Sequence, residues 1–161
     1  MTTSLRLFLA VAGASALSIA ALAHTPAPSD NLLEFVIGNG PHAGTYKIQA
    51  SEIMCMHFKQ GKNIAAVFKD FDAKDVKKVG EAAINVANPD EAAPKRGDVL
   101  VAFGARGDKS ATRYNVSIPG DSAGPITIIR NGKGADLAFQ GRTKDGISLR
   151  VTAKCLELEE L

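Results

Sequence analysis

From Leu32 onward the chain is a succession of short apolar runs, each closed by a cluster of turn residues. Where such a run alternates, one strand face is buried and the other meets water, so the chain must fold as packed sheets. Gly44 to Ala50 sets Tyr46, Ile48 and Ala50 against Thr45, Lys47 and Gln49. Ile147 to Cys155 sets Ile147, Leu149, Val151 and Ala153 against Ser148, Arg150, Thr152 and Lys154. Leu32 to Ile37, Glu52 to Phe58, Ile64 to Phe68, Ala82 to Ala87, Val99 to Phe103, Thr112 to Ile118, Ile126 to Arg130 and Ala135 to Phe139 are further strand candidates. Gly38-Asn39-Gly40-Pro41 closes the first of them. Gln60-Gly61-Lys62-Asn63, Asn131-Gly132-Lys133-Gly134 and Lys144-Asp145-Gly146 read as hairpin turns. Pro89, Pro94 and Gly97 mark Asn88 to Asp98 as a loop. Only Ala73 to Val79 has helical character, and it is too short and polar for more than one turn or a loop. Strands spaced about 8–12 residues apart predict an all-β fold, an antiparallel sandwich or partly open barrel of about 8–10 short strands.

The first 23 residues read as a secretory signal peptide rather than as fold. Arg6 supplies the positive region, Leu7 to Ile19 the apolar one, and Ala21-Leu22-Ala23 an A-x-A cleavage site. The apolar core is short for a membrane span of about 20 residues, so no transmembrane segment is expected after cleavage. No Cys follows it to be acylated, and its alanine-rich style points to bacterial export, hence a periplasmic or secreted protein. Residues 24–31 form a Pro-rich arm, and residues 32–161 a single β-sandwich domain. The leader takes with it one of the 19 basic residues and none of the 17 acidic ones. The near-neutral remainder has no phosphate-neutralising surface, so nucleic acid is not an expected partner.

Cys55 and Cys155 both fall in strand candidates, 100 positions apart. In an exported chain with 2 Cys they are expected to pair and to tie an early strand to the last one. No C-x-x-C supports a redox thiol instead. Met54-Cys55-Met56-His57 groups soft ligand types suited to Cu(I), but alternation separates Cys55 and His57 from Met54 and Met56. The methionines are expected to fill the core.

Three motifs carry possible chemistry. Gly120-Asp121-Ser122-Ala123-Gly124-Pro125 fits G-x-S-x-G and looks like the GDSGGP segment of chymotrypsin-like proteases. His57, then one of Asp70, Asp72, Asp75 or Asp98, then nucleophilic Ser122 would follow that family's order. Against it, the strand-like run after Pro125 is not the helix an α/β-hydrolase serine requires, and MCMHF does not match the protease His context. Arg-Gly-Asp occurs twice, as Arg96-Gly97-Asp98 and Arg106-Gly107-Asp108, which on exposed turns would resemble an integrin-binding motif. Cleavage after Ala23 makes His24 the mature N-terminus, where amine and imidazole together can chelate copper, with His42 or His57 as partner. His42 itself reads as part of a Gly-rich turn. Leu156 to Leu161 (LELEEL) reads as a strand end or docked tail.

Cys55, the run Ile64-Ala65-Ala66-Val67-Phe68, Asp70, Val76-Lys77-Lys78-Val79-Gly80 and Val151-Thr152-Ala153-Lys154-Cys155 together resemble mycobacterial nineteen-kilodalton-antigen-type lipoproteins. That resemblance implies a cell-surface or secreted antigen-like module without assigned catalysis. The expectation is therefore a non-enzymatic, exported binding or envelope-interaction module, with no cofactor, for an unknown ligand or a cell-envelope or protein partner. A copper-binding protein using His24 and a serine hydrolase using Ser122 are the rivals.

Overall fold

The computed structural model describes residues 30–60, 62–91, 96–105, 108–120 and 124–161. The signal peptide, His24 and most of the Pro-rich arm lie outside these residues, as do Ser122, Arg106 and Gly107.

Among the described residues eleven strands follow in order: β1 (Leu32–Ile37), β2 (Gly44–Gln49), β3 (Met54–Phe58), β4 (Asn63–Lys69), β5 (Val79–Ala87), β6 (Arg96–Phe103), β7 (Thr112–Ile118), β8 (Ile126–Asn131), β9 (Gly134–Arg142), β10 (Ser148–Cys155) and β11 (Glu159–Glu160). They make two packed sheets, ordered β2-β1-β10-β9-β8 and β11-β3-β4-β5-β6-β7. Every pairing is antiparallel except β11 with β3. The all-β sandwich expected from the sequence is thus present, and it is not a closed barrel.

Its interior is the alternating set. Leu33, Phe35 and Ile37 of β1 and Leu149, Val151 and Ala153 of β10 meet Ile64, Ile84, Val86, Val99, Val101 and Phe103 of the other sheet, all buried. Turn chemistry sets the register. Gly132 takes φ 65° at the first position of the two-residue turn between Asn131 and Gly134, a conformation a Cβ disfavours. Ala73 to Lys78 forms turns, as expected, with the Asp75 carboxylate accepting from the Lys77 amide at 2.9 Å.

The disulfide joins Cys55 of β3 to Cys155 of β10, with Cα atoms 5.7 Å apart. It runs from one sheet to the other through the core, and both residues are buried.

Two expectations need correction. Met54 and Met56 do not fill the core. Cys55 takes the inward position of β3, so the methionines point out, and Met54 is 44% exposed. Arg96-Gly97-Asp98 is not in a loop. β6 begins at Arg96, with Gly97 opposite Val86 on one side and Ile118 on the other. A Cβ on Gly97 would lie 2.0 Å from the Asn85 carbonyl oxygen, so this glycine answers to close backbone approach rather than to a turn. Gly97→Ala is therefore expected to destabilise the fold by about 1–3 kcal/mol through overpacking, read from a denaturant melt. A midpoint equal to wild type would show that β5 and β6 yield freely here.

Candidate functional site

The two sheets differ on their outward faces. In the five-stranded sheet the outward rows are mixed, with Leu32, Val36, Ala138 and the 67% exposed Ile129 interleaved among polar residues. Lys47, Gln49, Arg150, Thr152, Lys154, Asp136 and Gln140 all point away from the core, by their registers with the buried residues. In the six-stranded sheet the outward row Met54, Val67, Ala83, Leu100 crosses β3, β4, β5 and β6 in register. The adjacent row carries Met56 and Ala65 before turning polar at Asn85 and Asp98, and Phe58 extends the β3 side. None of these apolar side chains belongs to the core cluster, although Ala65 is buried and Val67, Ala83 and Leu100 are half-buried. At strand spacings near 4.8 Å the apolar row spans about 15 Å, the scale of an interaction patch rather than of stray surface leucines.

Polar groups frame the patch. Lys69 pairs with Glu81 at 3.8 Å, and Arg113 stands across from Ala102. On the other side Asn63 donates to the Asn85 side-chain oxygen at 2.9 Å, and Asn85 donates to Asp98 at 3.2 Å. Asp98, part of the first Arg-Gly-Asp, is thus committed to a ladder across three strands. Asp108 of the second accepts from both the amide and the hydroxyl of Ser110, and those bonds hold its carboxyl below the usual range.

The histidines are separated by the fold. His42 stacks on Phe103 with ring centres 4.0 Å apart and planes at 14°. Its Nε2 lies 3.2 Å from the Val76 carbonyl and its Nδ1 3.0 Å from the Tyr114 hydroxyl. A carbonyl only accepts, so Nε2 carries the hydrogen and Nδ1 accepts from Tyr114. Burial pushes the Tyr114 phenol up, in keeping with its role as donor, although a backbone hydrogen bond with His42 opposes that shift. Tyr46 donates to the His42 carbonyl at 3.0 Å and stacks on Phe35. With both ring nitrogens engaged, His42 is an anchor for the β1–β2 loop and not an open metal ligand.

His57 sits on β3 opposite Ile64 and beside Glu160 of the C-terminal strand. The carboxylates of Asp70, Asp75 and Asp98 are taken up by Asp72 N, Lys77 N and Asn85, and neither these nor Asp72 bonds His57. The serine that a triad would need lies outside the described residues. Beyond it, Pro125 leads into strand β8 rather than a helix. Among the described residues no three His, Cys, Asp or Glu side chains gather as a metal site would require.

An open groove of about 1130 Å³ runs along β7. Tyr114 and Val116 line one side, and Arg142, Thr143, Lys144, Asp145 and Ile147 of the β9–β10 hairpin the other. Two features escaped the sequence reading. The anchoring role of His42 has no local signature, because its ring partners are 34 to 72 residues away. The apolar outer face did have one. Ile64 to Phe68 and Val99 to Phe103 are apolar without interruption, the pattern of strands covered on both faces.

No protein-family model, curated protein or solved structure matches the chain.

Proposed function

We propose that this protein is an exported, non-enzymatic β-sandwich that binds a protein of the cell envelope through the outer face of its six-stranded sheet. One observation carries the reading: Met54, Val67, Ala83 and Leu100 form an unbroken apolar row on a face that faces away from the core. A solvated sheet face breaks such a row with polar residues, as Asp136, Lys154 and Gln49 do beside Ile129 and Leu32 in the five-stranded sheet. A flat apolar centre rimmed by Lys69, Glu81, Arg113 and Asp98 matches the anatomy of a protein interface better than that of a small-molecule pocket. The leader, the disulfide and the scattered likeness to nineteen-kilodalton-antigen lipoproteins support an exported location.

The test is co-sedimentation of the purified, oxidised protein with envelope fragments from its host. Wild type is expected to pellet with the fragments. Val67→Glu combined with Leu100→Lys, both half-buried outward positions, is expected to lower the bound fraction at least about tenfold. Circular dichroism must show the variant folded. Equal retention of the two proteins, or no retention of either, defeats the proposal.

A further inference from the structure

β7 is the last strand of its sheet. It pairs with β6 along its full length, Thr112 to Ile118, and with no other strand among the described residues. A seven-residue edge in regular register carries unpaired backbone N–H and C=O groups, a template for another strand. Proteins usually blunt such an edge with a bulge, a proline or an inward-pointing charge. β7 has none of these, since Tyr114 and Val116 point inward.

The opposite edge of the same sheet shows what this chain does with a free strand. There the tail lies parallel on β3, with Glu159 opposite Met56 and Glu160 opposite His57. The Leu161 amide donates to the His57 carbonyl at 3.0 Å, and the Lys59 amide to the Leu161 carbonyl at 3.1 Å. Leu158 enters the core. Glu160 pairs with Lys59 and Glu157 with Lys133, and the Lys59 contact holds the Glu160 carboxyl below its ordinary range. An acidic, extended segment added to an edge beside basic side chains is therefore a packing mode this fold already uses.

The β7 edge repeats those conditions, and no other strand among the described residues lies on it. Arg113 projects from the strand, and Arg142 and Lys144 stand on the facing wall of the groove, against Asp145 alone on that wall. The geometry points to the β7 edge as a second docking site, one that takes an extended acidic peptide of a partner by strand addition. Backbone pairing to Thr112–Ile118 supplies the hydrogen bonds, and carboxylates on the peptide meet Arg113, Arg142 and Lys144. Arg113 also borders the apolar face, but the β7 backbone edge, Arg142 and Lys144 do not, so N-methylation and the Lys144→Glu change test this site apart from that one.

The test is an amide-resolved NMR titration with capped Leu-Glu-Leu-Glu-Glu-Leu as the probe. Shifts are expected to centre on Arg113 to Ser117 and on Arg142 to Lys144. The lysine counterpart, Leu-Lys-Leu-Lys-Lys-Leu, is expected to bind at least about tenfold more weakly, as is the acidic probe to folded Arg113→Glu/Lys144→Glu protein. N-methylation of alternate peptide amides is expected to abolish the shifts on β7 in one of the two registers. Equal binding by the lysine peptide, or indifference to N-methylation in both registers, overturns the site. So do shifts confined to Met56 to Lys59, which would report exchange with the protein's own tail. Concentration-dependent dimers lost in Arg113→Glu would assign the edge to a second copy instead and overturn the peptide reading.

Discussion

Replacing Cys55 and Cys155 together by alanine is expected to cost about 2–5 kcal/mol of unfolding free energy, the loss typical of a native disulfide. The reason lies mainly in the unfolded chain. The bond closes a loop with a sequence separation of 100, which in the chain-entropy model corresponds to about 4.7 kcal/mol. Native stability is typically about 5–15 kcal/mol, so this single link carries a large share of it. Its placement adds to the effect. Cys55 belongs to β3, near the edge of the six-stranded sheet, and Cys155 to β10, the middle strand of the five-stranded one. Besides the chain connections and side-chain packing, this bond is what holds the β3 end of one sheet over the centre of the other. Alanine is the informative replacement, because serine would bury an unpaired hydroxyl at two sites that are 5% and 1% exposed. Guanidinium melts of wild type and double variant decide the matter. Along with the lower midpoint, the slope m should rise, since an uncrosslinked chain exposes more surface on unfolding. A loss under about 1 kcal/mol with unchanged m would show that the unfolded chain is already compact around these residues.

Most of the strand sequence of this fold is readable because local rules and tertiary packing agree. Leu32–Ile37 and Thr112–Ile118 are strands with the bounds their patterns announce. Gly132 and Gly146, at φ 65° and 80°, stand at turns that their sequence already marks. The disagreements fall where a neighbour, not the local sequence, decides. Arg96-Gly97-Asp98 has good turn composition, yet β5 and β7 flank it on both sides and draw it into the sheet. Val79 to Glu81 likewise joins β5 ahead of the apolar run, through an irregular register with Phe103 and Ala102. Met54 and Met56 depart from the core expectation because apolar character says that a side chain wants cover but not which cover. The disulfide fixes Cys55 inward, and period two then sends both methionines outward. Site legibility is poorer still. A groove walled by β7 and the β9–β10 hairpin joins residues about 30 positions apart, and no pattern within either segment announces the other.

Phe103→Ala is expected to cost about 3–5 kcal/mol, the range for emptying a buried phenylalanine site. Phe103 is 0% exposed and ends β6, where three aromatic rings converge on it. His42 stacks at 4.0 Å, while Tyr46 and Tyr114 meet it edge-on at 5.1 and 6.1 Å. These come from the β1–β2 loop, β2 and β7, so the ring is where both sheets and the loop meet. Truncation removes transfer energy, leaves a cavity, and deprives His42 of the surface that keeps its nitrogens aimed at Tyr114 and Val76. Phe103→Leu separates these effects, since it fills much of the volume but offers no ring face. A double-mutant cycle with His42→Ala then isolates the stacking contact. The coupling is expected at about 0.5–1.5 kcal/mol, the worth of an aromatic pair beyond its buried area. With coupling in that range, the stack on Phe103 and the two hydrogen bonds fix His42 jointly. If the two substitutions are additive, the stack contributes only burial. The anchor of the β1–β2 loop then reduces to the bonds with Tyr114 and Val76, and His42→Gln, which can donate to one and accept from the other, should recover most of the stability that His42→Ala loses.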